Sequence, residues 1–156
     1  MPKTIEMVVS LKVPDTTAIT ALQTLRKIGF DEIKDVKRYD YYKFLTEGNE
    51  EQFKNNISKV DILVNAKKHF FAFEIKKNAS PNACIFFVIV KNINGDGNGI
   101  LSTLKNRLGF KNIKKAEKAV LWSLSIDADE NKAKNIAERA AKELLVNAHY
   151  QEYEIL

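Results

Sequence analysis

The chain has 156 residues, 45% of them hydrophobic, with 25 Lys plus Arg against 20 Asp plus Glu, two His and one Cys. That composition supplies a core and excludes disorder, and a lone cysteine excludes an internal disulfide or a cysteine-based zinc site. A net charge of +5 permits an anionic partner without demanding one, and the absence of a leader pattern or an apolar run of roughly 18 residues leads us to expect a reducing, cytoplasmic setting with no membrane contact.

In chain order, Ile5, Met7, Val9, Leu11 and Val13 alternate with Glu6, Ser10 and Lys12, which predicts a half-buried strand. Asp15 or Thr16 then caps a helix carrying Ile19, Leu22 and Leu25 on one face, and Gly29 stops it. Val36 to Thr46 reads as strand, rich in Tyr and charge, and a helix with Phe53, Ile57, Val60 and Val64 follows. A short strand around Phe73-Glu74-Ile75 closes this half. Residues 77–83, polar and proline-bearing, predict a linker. Ala83 to Val90 is apolar without alternation, the mark of a strand covered on both faces. Leu101, Leu104 and Leu108 outline the next helix, ended by Gly109, and Val120, Trp122, Leu124 and Ile126 alternate as a strand. Ala133, Ile136, Ala137, Ala140, Ala141, Leu144 and Leu145 form the clearest helical stripe, before a last strand at Tyr153-Glu154-Ile155.

The order is written twice. A shift of 80 lays Gly29-Phe30 on Gly109-Phe110, Ile33 on Ile113, and Phe73-Glu74-Ile75 on Tyr153-Glu154-Ile155. It also lays Ile5, Met7, Val8 and Val9 on Ile85, Phe87, Val88 and Ile89, while Val64-Asn65-Ala66 matches Val146-Asn147-Ala148 after a two-residue slip. We therefore expect an α+β protein of two β-α-β(β)-α-β repeats, residues 1–76 and 84–156, with antiparallel sheets and helices on one face. Each repeat is small for a self-sufficient core, so the two should pack as an intramolecular pseudo-dimer.

Chemistry is thinly provisioned. Asn94 to Gly99 imitates the start of a calcium loop, but Lys105 stands where a bidentate Glu is needed. A turn before a helix capped by Asp96 or Asn98 is the simpler reading. His69 and His149 have no nucleophile motif beside them and are expected near helix C-termini. Cys84 and Trp122 read as core, and Asp127 and Asp129 as helix caps. No catalytic residue, metal or cofactor is expected. Lys37-Arg38-Tyr39-Asp40-Tyr41-Tyr42-Lys43-Phe44 could stack bases as an RNA-binding sheet does, yet it lacks that sheet's glycine signature, and packing against the twin sheet explains its aromatics.

The order Val8-Val9-Ser10-Leu11-Lys12, Ile28-Gly29-Phe30, Ile33-Lys34-Asp35-Val36, and then Leu144-Leu145-Val146-Asn147 to Tyr153-Glu154-Ile155 resembles PurS, the small subunit of phosphoribosylformylglycinamidine synthase. The family's helix-start acid stands here as Asp15 and as Asp96-Gly97-Asn98-Gly99, and its Arg-Val-Gly-Lys turn as Lys37-Arg38-Tyr39-Asp40 and Glu117-Lys118-Ala119-Val120. The resemblance implies a non-catalytic subunit of an ATP-dependent glutamine amidotransferase that makes the amidine in purine synthesis. It would bridge the large synthetase subunit and the glutaminase subunit, with a homodimer of the fused chain possible and no nucleic acid expected. Contact candidates are Asp15, Lys37, Arg38, Asp96, Gly97, Asn98 and Gly99. Other readings are a regulatory ferredoxin-like protein that binds a small molecule, on the strand–helix alternation and the glycine loop, and the RNA-binding module.

Overall fold

The structure, a computed structural model, describes residues 2–75, 84–93, 95 and 97–156. The expected linker at 77–83 lies outside the described residues, as does Asp96. The elements run β1 (Lys3–Leu11), α1 (Thr16–Lys27), β2 (Ile33–Thr46), α2 (Glu50–Ile57) and β3 (His69–Ala72), then β4 (Cys84–Asn92), α3 (Gly97–Asn106), β5 (Ile113–Ile126), α4 (Glu130–Ala140) and β6 (Gln151–Ile155). The fold is α+β, with six antiparallel strands in the order β3-β1-β2-β5-β4-β6.

β2 and β5 each run for 14 residues. Neither contains a glycine or proline, so nothing in them favours a turn, and Lys37 to Asp40 sits within a continuous strand rather than at the turn that the family pattern suggests. Each long strand serves two compact units. One unit comprises Met1–Val13, Asp40–Ile75 and Asn94–Ala119; the other comprises Pro14–Tyr39, Lys76–Ile93 and Val120–Leu156.

Unit 1 orders its strands β3, β1, the second half of β2 and the first half of β5, with α2 and α3 for helices. Unit 2 mirrors that inventory with β6, β4, the second half of β5 and the first half of β2, plus α1 and α4. The β2–β5 ladder ends with Glu47 N–H donating to Asn112 O (3.1 Å) in unit 1 and Asp127 N–H donating to Glu32 O (2.8 Å) in unit 2. Each unit is a four-stranded antiparallel sheet with two helices, ordered as in a ferredoxin-like fold. Its first strand comes from one half of the chain, and the helix and strand that follow in that fold come from the other half. The compact units therefore interleave residues 3–72 with residues 84–155.

One core fills each unit. In unit 1, Ile5, Met7 and Val9 of β1, Tyr42 and Phe44 of β2, Phe53 and Ile57 of α2, Leu104 of α3 and Ile113 of β5 are buried together. Aromatic rings join its layers: Tyr42 stacks on Phe44 at 6.2 Å, and Phe44 meets Phe53 edge-on at 5.6 Å. The aromatics of β2 thus pack beneath a helix, not on a second sheet as expected. In unit 2 the helices are joined by small residues. Ala18, Ala21 and Leu25 of α1 share a core with Ala133, Ala137 and Ala140 of α4, and with Val88, Val90, Trp122 and Leu124. The buried stripe of α1 is therefore rotated from the expected one, leaving Ile19 46% exposed. Alanine at the contact lets two helix backbones approach closely, which favours this face.

Strand pairing corrects the repeat offset. Met7 lies opposite Tyr42 and Val88 opposite Trp122, so Met7 corresponds to Val88, an offset of 81 (88 less 7). The offset of 80 would have placed Met7 on Phe87, which points to the other face, because a one-residue slip inverts a strand. In the closing strands Val9 faces Phe71 and Val90 faces Tyr153. Phe71 rather than Phe73 is thus the partner of Tyr153, at an offset of 82 (153 less 71). The added residues enter along α4, which continues into a π-helical turn at Ala141–Leu145 and leaves Leu144 37% exposed.

Because unit 1 takes α3 and half of β5 from the second half of the chain, residues 1–78 alone should aggregate or self-associate. Mixing them with residues 84–156 should yield a folded one-to-one complex in sedimentation analysis. A stable soluble monomer of either piece would contradict this topology.

Candidate functional site

The contact candidates of the first half come together as a staple. Asp15 caps α1, its Oδ1 accepting from Thr17 N (3.0 Å) and Ala18 N (3.2 Å). Its Oδ2 accepts from Arg38 Nε at 3.2 Å, tying the helix start to β2, with the two side chains 17% and 31% exposed. Both groups are therefore engaged in the fold. Lys37, next along the strand, is exposed.

In the second half, α3 begins at Gly97, so Asn98 and Gly99 lie inside the helix and Asn98 is not its cap. Of the segment that imitates a calcium loop, Gly97 to Gly99 are helical, and Asn94 and Asp96 lie outside the described residues. Nothing lies within 4 Å of a Cβ built on Gly99, so no close approach requires glycine there. Gly29 and Gly109 differ, with φ of +110° and +76°, the left-handed conformation that stops the preceding helix.

The histidines take different places from those expected. His69 opens β3, and its Nδ1 accepts from Asn65 N at 3.0 Å, while Asn65 Oδ1 accepts from Lys67 N at 3.0 Å. The second half repeats this turn with Gln151 Oε1 accepting from Asn147 N (2.9 Å) and Asn147 Oδ1 from His149 N (3.1 Å). His69 therefore corresponds to Gln151, and His149 to Lys67. The repeated Val-Asn-Ala triplet encodes this turn, which sets the path into the closing strand. Asp129 caps α4 through Lys132 N (2.9 Å), as expected.

The aromatic stretch of β2 offers little ring face to bases. Tyr42 and Phe44 are core, and Tyr41 is 5% exposed with its hydroxyl donating to Glu6 at 2.6 Å. The Tyr42 hydroxyl is pushed up to about 12 by burial and then by the Asp40 carboxylate, while Lys118 Nζ lies 5.9 Å from its ring centroid. In unit 2 a hollow of about 410 Å³ lies over Trp122, bordered by Thr16, Thr20, Thr24, Leu144 and Leu145. Phe30 N–H donates to Leu25 O and Phe110 N–H to Leu104 O, so Leu104 of α3 corresponds to Leu25 of α1, and both are fully buried.

Fold and side chains together define an α+β protein of two ferredoxin-like units whose conspicuous residues cap helices, staple strands and shape turns. Among the described residues no group of three or more His, Cys, Asp or Glu is placed to hold a metal, and no helix is long and apolar enough to cross a membrane. A family model described as PurS, phosphoribosylformylglycinamidine (FGAM) synthase, matches residues 91–156. No curated protein matches the chain. The matched stretch runs from the end of β4 through β6, so this part of the chain is similar to the PurS family.

Three outcomes are expected. Asp15→Ala removes a cap and the Arg38 partner and should cost about 1–2 kcal/mol in denaturant unfolding, whereas Gly99→Ala should gain about 0.5–1 kcal/mol. Because the Tyr42 pKa is raised on folding, its contribution is intact below about 10 and lost as pH rises towards about 12. Tyr42→Phe should flatten the fall in melting temperature across that window.

Proposed function

We propose that the chain is a non-catalytic small subunit of FGAM synthase, bridging the ATP-dependent synthetase subunit and the glutaminase subunit and supporting ammonia transfer between them. The observation that carries this reading is the PurS match over residues 91–156. Two features support it: the functional-looking polar residues are engaged in capping and turns, and both halves contribute to each compact unit. A subunit that holds two enzymes in register needs defined surfaces rather than reacting groups. The chain acts in the cytoplasm, and a homodimer of the whole chain is compatible with this role.

Asp15, Lys37, Arg38 and the Asp96-Gly97-Asn98-Gly99 segment remain the proposed contact regions. Lys37 is the most direct probe, since it is exposed and belongs to no ion pair among the described residues. Affinity capture of the full chain from native extract should recover the synthetase and the glutaminase. Lys37→Glu should weaken that recovery about fivefold, corresponding to about 1 kcal/mol, at an unchanged melting temperature. Recovery of nucleic acid, or of no partner, would refute the bridge.

A further inference from the structure

Unit 1 holds a hollow of about 220 Å³ between the first turns of α2 and the Gly109–Ile113 segment that leads into β5. Its polar lining is dominated by neutral amides. Gln52 and Asn56, one turn apart on α2, line it with Asn112, and none of these three side chains has a protein hydrogen-bond partner among the described residues. Phe53 and Phe110 supply its apolar wall, edge to face at 5.9 Å. Glu47 and Lys111 add one charge of each sign.

The equivalent place in unit 2 carries different side chains. At an offset of 80, Gln52, Asn56 and Asn112 become Lys132, Ile136 and Glu32. Lys132 and Glu32 pair at 3.8 Å, Ile136 is buried, and the Arg139 guanidinium sits 5.1 Å from the Phe30 ring centroid. The same backbone position thus carries an ion pair and hydrocarbon in one unit, and exposed amides without a side-chain partner in the other.

We propose that the unit 1 hollow binds a neutral, planar nitrogen heterocycle of nucleobase size. A carboxamide presents one acceptor and two donors in a plane, which matches the alternating N–H and ring-nitrogen edge of such a ring. The half-buried Phe110 provides a face for stacking. An anion is disfavoured, because Glu47 lines the hollow and Glu50 and Glu51 occupy the first turn of α2. The volume falls below that of drug-sized sites, which suits a single ring system. The proposal goes beyond the bridging role and does not rest on it.

The test is an NMR titration of the full chain with adenosine, following the side-chain amides of Gln52, Asn56 and Asn112, with D-ribose as the sugar-only control. Adenosine should shift these amides and the backbone of residues 109–112, and ribose should not. No shift with adenosine, an equal shift with ribose, or shifts confined to the hollow over Trp122 would overturn the proposal. The triple variant Gln52→Lys, Asn56→Ile, Asn112→Glu copies the unit 2 side chains and should abolish the response. Asn112→Ala, at an exposed side chain, should weaken it severalfold with the fold intact; an undiminished response in a folded variant would equally overturn the assignment.

Discussion

Two uninterrupted strands of 14 residues, β2 and β5, govern the rest of the structure. A strand of that length, with no glycine or proline to turn it, gives its first half to one compact unit and its second half to the other. The helix before it must then lie with the unit that receives its first half. Consequently α1 completes the unit built on β4, and α3 completes the unit built on β1. Neither half of the chain holds a whole core, so folding depends on contacts distant in sequence, which carry a loop-closure cost.

The two cores solve the same problem with different residues. Unit 1 fills its sheet-to-helix space with rings from Tyr42, Phe44 and Phe53, and unit 2 brings its helices together over alanines of α1 and α4. The differences leave openings in complementary places. Threonines on α1 border the hollow over Trp122, while amides on α2 line the one beside the segment that leads into β5. Divergence between the halves thus gives each unit its own surface.

Much of the fold was legible in the residues. The alternation of β1 and β5, the stripe of α4 and the glycines after α1 and α3 follow from short-range periodicity and backbone sterics, although β5 begins at Ile113, seven residues before the alternation that marks it, and β1 ends at Leu11, short of Val13. What stayed hidden was which helix packs on which sheet, because periodicity marks a buried face without naming its partner. Short matches also misplaced the repeat: Met7 fell on Phe87 instead of Val88, since both strands are apolar on either side of the register and only pairing distinguishes them. The turn candidate at Lys37-Arg38 failed because it was carried over from a family pattern whose glycine is absent here. Asp15 was found as a cap, but its pairing with Arg38 crosses 23 residues and leaves no local trace. The amide-lined hollow had no sequence motif, and emerges only when α2 and the Asn112 segment meet.

The exchange of helices between halves is the central claim, and methyl NOEs in the full chain test it most directly. Leu25 of α1 should show NOEs to Val88 and Leu124, with which it shares a core, and Leu104 of α3 should show them to Met7 and Ile113. NOEs from Leu25 to Met7 and Val9 instead would show each half folding on itself, and would contradict the account.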